Sequence, residues 1–94
     1  MDSQELIVTH NEAAHRFEIE SEELLAVLDY RLDGKILLFL HTGVPSALEG
    51  RGLGSKLVKA GLDYARANQL RVQSLCWFVD GYIERHPEYQ NQRD

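Results

Sequence analysis

Ninety-four residues make one small domain, and a chain of this size buries only ~60–65% of its unfolded surface, so its core must be efficient. With 44% hydrophobic and 27% charged residues the composition is that of an ordinary globular chain, and no apolar run approaches the ~18 residues of a membrane helix. The net charge of −5 comes without an extended basic stripe, which argues against nucleic acid as a partner.

The first third of the chain reads as strands. ELIVTH is short and β-branched. In RFEIE, Phe17 and Ile19 alternate with Arg16, Glu18 and Glu20, the period-two pattern of a half-buried strand. LLAVLDYRL continues it, with Ala26, Leu28, Tyr30 and Leu32 on one face. Asp33-Gly34 then joins this run to KILLFLHT, a pairing that predicts a tight hairpin. ILLFL is continuously apolar, as in a central strand covered on both faces. A glycine-rich loop follows, then a helix of about fourteen residues with Leu57, Val58, Gly61, Leu62 and Ala65 at helical spacing. Lys59 and Asp63 can pair across one turn of it, and Asn68 is its stop signal. LRVQSLC reads as a further strand, parallel to its partner through a right-handed crossover. FVDGYIER reads as a short last helix burying Phe78, Val79, Tyr82 and Ile83. Pro87 ends it, and the polar stretch that follows, with residues 90–94 at its end, reads as a frayed, disordered tail. The expected class is mixed α+β: a meander of about four antiparallel strands, a helix, a parallel-adjacent strand and a short C-terminal helix.

The charge is unevenly spread. Residues 1–49 hold ten acids and three bases, a balance of −7, whereas residues 50–71 hold five bases and one acid, a balance of +4. The basic segment begins at the glycine loop. Gly50, Gly52 and Gly54 lie between the end of an apolar strand and a helix N-terminus. Unpaired amides and the helix dipole both favour an anion at such a tip. Glycines let the backbone turn amides inward and let a phosphate come close. Gly50, Arg51, Gly52, Leu53, Gly54 and Ser55 can supply amides, and Arg51 and Lys56 can add charge. The spacing is not that of a Walker loop. On these residues alone, a phosphate site and a sharp strand-to-helix connection are both open.

VPSALEGRGLGSKL resembles the pyrophosphate-binding loop of the GNAT superfamily of N-acetyltransferases. Val44, Gly52, Gly54, Ser55 and Leu57 fall where that pattern wants them, while Glu49 replaces the usual Gln or Arg. Together with the following helix, the LC pair and YIERHPEY, the chain resembles the minimal single-domain branch of the superfamily, the YjdJ type, over roughly Gly34 to Tyr89. That branch usually has Glu where this chain has Gly43, and Pro where it has Ser74 and Trp77. The resemblance implies acetyl-CoA as cosubstrate and an amine as acceptor. It implies strands that splay apart beside the helix, Val44 bonding pantetheine, and a diphosphate on residues 50–55. The alternative is a coenzyme A or acyl-CoA binding module with little turnover.

Three side chains are candidates for the chemistry. His41 is a candidate base, histidine being the side-chain type that serves as one near neutrality, although a histidine at a strand end also serves as a structural partner. Cys76, the only thiol, is either an acyl relay, a pocket wall or a small core residue. Tyr82 lies where the resemblance places a tyrosine that protonates the departing thiolate; periodicity alone makes it a core aromatic. His10 and His15 read as loop residues, and His86 with Arg85 as a helix C-terminal pair. No metal spacing appears among the four histidines and one cysteine, so no metal is expected. The acidic N-terminal MDSQELIVTH has no signal-peptide core, and the unpaired cysteine fits a reducing, cytoplasmic setting.

Overall fold

The computed structural model describes residues 6–94. Five strands form one sheet in the order of the chain: β1 (Thr9–Asn11), β2 (Arg16–Ser21), β3 (Leu24–Asp33), β4 (Ile36–Gly43) and β5 (Arg71–Ser74). The first four are antiparallel neighbours, and β5 lies parallel to β4. Helix α1 (Leu53–Ala67) makes the crossover between them, and α2 (Trp77–Arg85) follows β5. The fold is mixed α+β, as the hydrophobic patterning predicts.

Alternation in β2 to β4 sends Phe17, Ile19, Ala26, Leu28, Tyr30, Leu37 and Phe39 to one buried face. Leu57, Val58, Leu62 and Ala65 of α1 and Val79, Tyr82 and Ile83 of α2 complete the core. The sheet and α1 approach closely at Gly61, where a Cβ would stand 2.8 Å from the Phe39 ring. A methyl there would force the ring, and the sheet under it, away.

Four sequence expectations change. Of the stretch ELIVTH, Glu5 lies outside the described residues, and the strand begins only at Thr9. His10 is therefore a strand residue and not a loop residue: it stacks on Phe17 at 4.1 Å, and its Nε2 lies 2.6 Å from the Tyr30 hydroxyl. Phe78 is only partly buried, because it packs at the margin of the core over Gly54 at the start of α1. The polar stretch after Pro87 is not a frayed tail: Pro87–Gln92 form a 3-10 helix in which Tyr89 and Gln92 are buried.

The physical reason for that last correction is hydrogen bonding that hydropathy cannot signal. Tyr89 donates to Asp63 at 2.8 Å, and Gln92 donates to the Leu62 carbonyl at 3.0 Å. Arg66 donates to the Glu88 carbonyl at 2.9 Å, and Arg71 to the Asn91 carbonyl at 3.0 Å and to that of Arg93. The chain then runs beside β5, where Val72 and Arg93 form a parallel bridge and the Asp94 amide donates to Val72.

Candidate active site

β4 and β5 pair from Ile36 with Arg71 to Phe39 with Ser74, and the last bond between them runs from the Leu75 amide to the Phe39 carbonyl at 2.9 Å. Past that point the strands part, because β5 turns into α2 while β4 continues. The gap is a crevice of about 700 Å³, within the usual range for small-molecule sites. Its floor and walls come from the end of β4, the loop before α1, the tip of α1 and the start of α2.

A bulge arranges the β4 lip. Asp29 pairs with His41 and Tyr30 with Phe39, so Leu40 is an extra residue opposite no partner. Directly opposed residues share a face. The bulge therefore puts Thr42 with Leu28 on the α1 side and turns His41 to the other side with Asp29. Without it, His41 would follow Leu37 and Phe39 onto the core face. His41 is exposed, and its imidazole lies along the strand over Gly43: a Cβ on Gly43 would stand 3.1 Å from His41 Nε2 and 3.6 Å from Val27. The glycine leaves the ring room to reach the crevice mouth.

The opposite lip is Cys76, the N-cap of α2, 8% exposed, with its Sγ 3.4 Å from the Thr42 hydroxyl. Ser74 fixes the turn into α2: its hydroxyl accepts from the Cys76 amide and donates to the Cys76 carbonyl, both at 3.0 Å. Thr42 and Ser74 escape sequence reasoning, since a hydroxyl on a strand carries no local signal of its partner.

The loop presents α1 to this gap. Gly50 and Gly52 hold φ of 85° and 75°, the left-handed region that side chains rarely enter. Around both, a Cβ would meet nothing within 4 Å, so the concave side of the loop is open. Gly52 is the N-cap of α1 and offers no side-chain cap, and no acidic residue stands in the first turn. Leu53, Gly54 and Ser55 thus begin the helix with its dipole facing the crevice. Phe78 from α2 packs on Gly54, where a Cβ would stand 2.8 Å from the ring, and ties the two helix starts together.

The crevice gathers His41, Cys76, Val44, Gly50, Gly52, Leu53, Gly54 and Ser55 from the sequence candidates. Arg51 and Lys56 are exposed and do not line it. Glu49 does line it, a carboxylate beside the loop. Tyr82 is 4% exposed and outside the lining; it stacks on His86 at 3.9 Å, and burial pushes its hydroxyl pKa up. The structure therefore separates Tyr82 from the other two chemical candidates. Gly81 meets only the Arg85 guanidinium, and His86 Nδ1 lies 2.8 Å from the Tyr82 carbonyl. Among the described residues no cluster of three metal-ligating side chains occurs. The residues present fit a diphosphate, which asks for a helix start without a side-chain cap and for room beside glycine: Gly52 offers no cap, and Gly50 and Gly52 border open space.

Comparison with known proteins agrees with this geometry. A family model described as GCN5-related N-acetyl-transferase matches residues 16–92. Protein NATD1 of Homo sapiens is 40% identical over 63 residues, 66% of this chain and 56% of that protein. Protein NATD1 of Danio rerio is 33% identical over 92 residues, 93% of this chain and 84% of that protein. The chain thus spans less than three-fifths of the human relative's length. The solution structure of a GCN5-like protein from Staphylococcus aureus superposes with a TM-score of 0.74 at 34% identity, covering 95% of this chain and 88% of that one. With the family model matching most of the chain on the same fold, the protein belongs to the GCN5-related N-acetyltransferase family.

Proposed function

We propose that the crevice binds acetyl-CoA and that the protein transfers its acetyl group to an amine. The observation that carries this reading is the uncapped tip of α1 opening, through two left-handed glycines, into the gap between β4 and β5. Amides of residues 50–55 hold the diphosphate, and the backbone at Val44 holds the pantetheine arm at the β4 lip. Lys56 and Arg51, exposed and outside the lining, attract the diphosphate from the rim of the glycine loop.

The thioester supplies an activated acetyl group. His41, exposed at the mouth, takes one proton from the acceptor ammonium at its ring nitrogen. The C–N bond then forms, the C–S bond breaks, and the second amine proton leaves on the thiolate sulfur. His41 returns its proton to solvent. Cys76 stands beside the thioester position and has either of two roles: a wall, or a nucleophile that carries the acetyl group before the amine does. Intact mass after acetyl-CoA decides between them, since a relay leaves an acetyl group on the parent protein that Cys76→Ala lacks.

The position of Tyr82 favours a second reading, an acyl-CoA binding module with little turnover, because no tyrosine in the crevice can protonate the leaving thiolate. Titration calorimetry with acetyl-CoA tests both readings: no heat up to millimolar ligand rejects them together. Thiol release in the presence of amines separates them.

A further inference from the structure

Among the described residues, five large apolar side chains are exposed: Ile7, Leu25, Leu32, Leu75 and Trp77. Only Leu75 and Trp77 line the crevice, at 73% and 82% exposure. They are not loose surface residues. The Trp77 ring meets Phe78 edge-on at 6.0 Å, and Phe78 is itself seated against Gly54. Phe78, Trp77 and Leu75 therefore make one apolar wall, running from the tip of α1 past Cys76 to solvent. His41 faces the crevice from the other strand. The crevice joins two chemically different surfaces, helix-start residues with glycines and an unsatisfied apolar wall, with an imidazole in the same lining.

Glu49, next to the glycine loop, is the only carboxylate among the described residues that line the crevice. Asp29 and Asp80 lie outside that lining, and Asp80 is paired with Arg93 at 3.4 Å, so an acceptor with several ammonium groups finds no carboxylate on the apolar wall itself. An acceptor with one amine and an apolar flank finds an indole face, which attracts both hydrocarbon and a nearby cation.

We propose that Leu75 and Trp77 form the acceptor-binding wall and that the acceptor is a monoamine with an aromatic or branched apolar flank. The inference rests on the crevice binding acetyl-CoA and deepens that reading by assigning the acceptor class. Trp77 becomes a specificity-determining residue: it holds the flank while His41 receives the proton.

Trp77 is the only tryptophan in the chain, so its fluorescence reports the wall directly. With coenzyme A saturating, phenethylamine is expected to shift the emission to the blue and to saturate, while spermidine leaves it unchanged. In thiol-release assays kcat/KM for phenethylamine should exceed that for spermidine by about 10-fold or more, a difference of roughly 1.4 kcal/mol. Trp77→Ala should erase the advantage through amine KM without moving acetyl-CoA KM, and Trp77→Phe should restore most of it. The wall belongs to the cosubstrate, and the inference is overturned, if coenzyme A alone buries Trp77 or if Trp77→Ala raises acetyl-CoA KM. Equal turnover or equal fluorescence response for the two amines also overturns it. Should acetyl-CoA bind by calorimetry while these amine results fail, the inference falls and the proposed function stands. Should acetyl-CoA not bind at all, both fall. If it binds without turnover, the fluorescence titration with coenzyme A decides alone.

Discussion

The two ends of α1 follow opposite rules. At its C-terminal end everything is closed: Asn68 caps the helix through the Tyr64 carbonyl, and the stretch after Pro87 wraps across with Tyr89, Gln92 and the carbonyl of Glu88 bonded to Asp63, Leu62 and Arg66. At its N-terminal end the cap residue is a glycine without a side chain, and the neighbouring loop faces open space. Both ends of a helix leave backbone groups unpaired. This chain closes one end with its own polar residues and leaves the other without a side-chain cap. The difference teaches that an uncapped helix is informative where the same helix is thoroughly capped elsewhere.

Substitutions at the two ends should therefore separate stability from binding. The largest expected effect is at the closed end. Tyr89→Ala removes a buried ring and its bond to Asp63, and is expected to cost about 3 kcal/mol by urea unfolding. Calorimetric affinity of the folded fraction for acetyl-CoA should stay within about 2-fold; a larger loss would mean that the two ends are coupled. The open end should behave in reverse. Gly52→Val puts a β-branched residue at φ 75° and tilts the amides, and acetyl-CoA affinity is expected to fall by about 10- to 100-fold.

Asp63→Asn at the closed end is smaller, about 1 kcal/mol, since one hydrogen bond and an exposed pair with Lys59 are weakened. Burial raises the Asp63 pKa, but hydrogen bonds from Lys59 and Tyr89 outweigh it and hold the carboxyl below its ordinary value. Its contribution is thus present at neutral pH and lost as the solution is acidified through the carboxylate range. An unfolding curve at pH 3 should show wild type and Asp63→Asn converging.

The smallest effect lies away from α1's ends, as a control. Burial lowers the His10 pKa, only partly opposed by Glu12, while Tyr30, Tyr64 and Phe17 crowd the ring. His15, near Tyr30, is the other imidazole of this corner. A depressed imidazole pKa stabilises the fold above the ordinary histidine range and loses that contribution as pH falls through it. Melting temperature should drop by about 2–4 °C between pH 7.5 and 5.5, and His10→Gln should flatten the slope.

Much of the fold is legible because its signals are local. Asp33-Gly34 marks the β3–β4 hairpin, although the turn centres on Gly34 and Lys35 with Asp33 still paired to Ile36. The periodicity of Leu57, Val58, Leu62 and Ala65 places α1, and the strand–helix–strand order gives the parallel pair. The β2–β3 hairpin is different. Its turn is Glu22-Glu23, at φ of 55° and 67°, where glutamate has no preference. Glu23→Gly should relieve that strain and add about 1 kcal/mol to stability. The crevice lining is legible in its glycines and in His41 and Cys76, which sit at the ends of recognisable strands. Thr42, Phe78 and the extra residue Leu40 are not, because each depends on a neighbour far along the chain.

That extra residue has a further meaning. A pleated ribbon normally commits its odd positions to one environment and its even positions to another for its whole length. One inserted residue resets the count, so a single strand can be a core element in its first half and an active-site edge in its second. Were the ladder regular, with Leu40 opposite Asp29, His41 would fall opposite Leu28 and turn inward where the protein keeps a hydroxyl against a thiol.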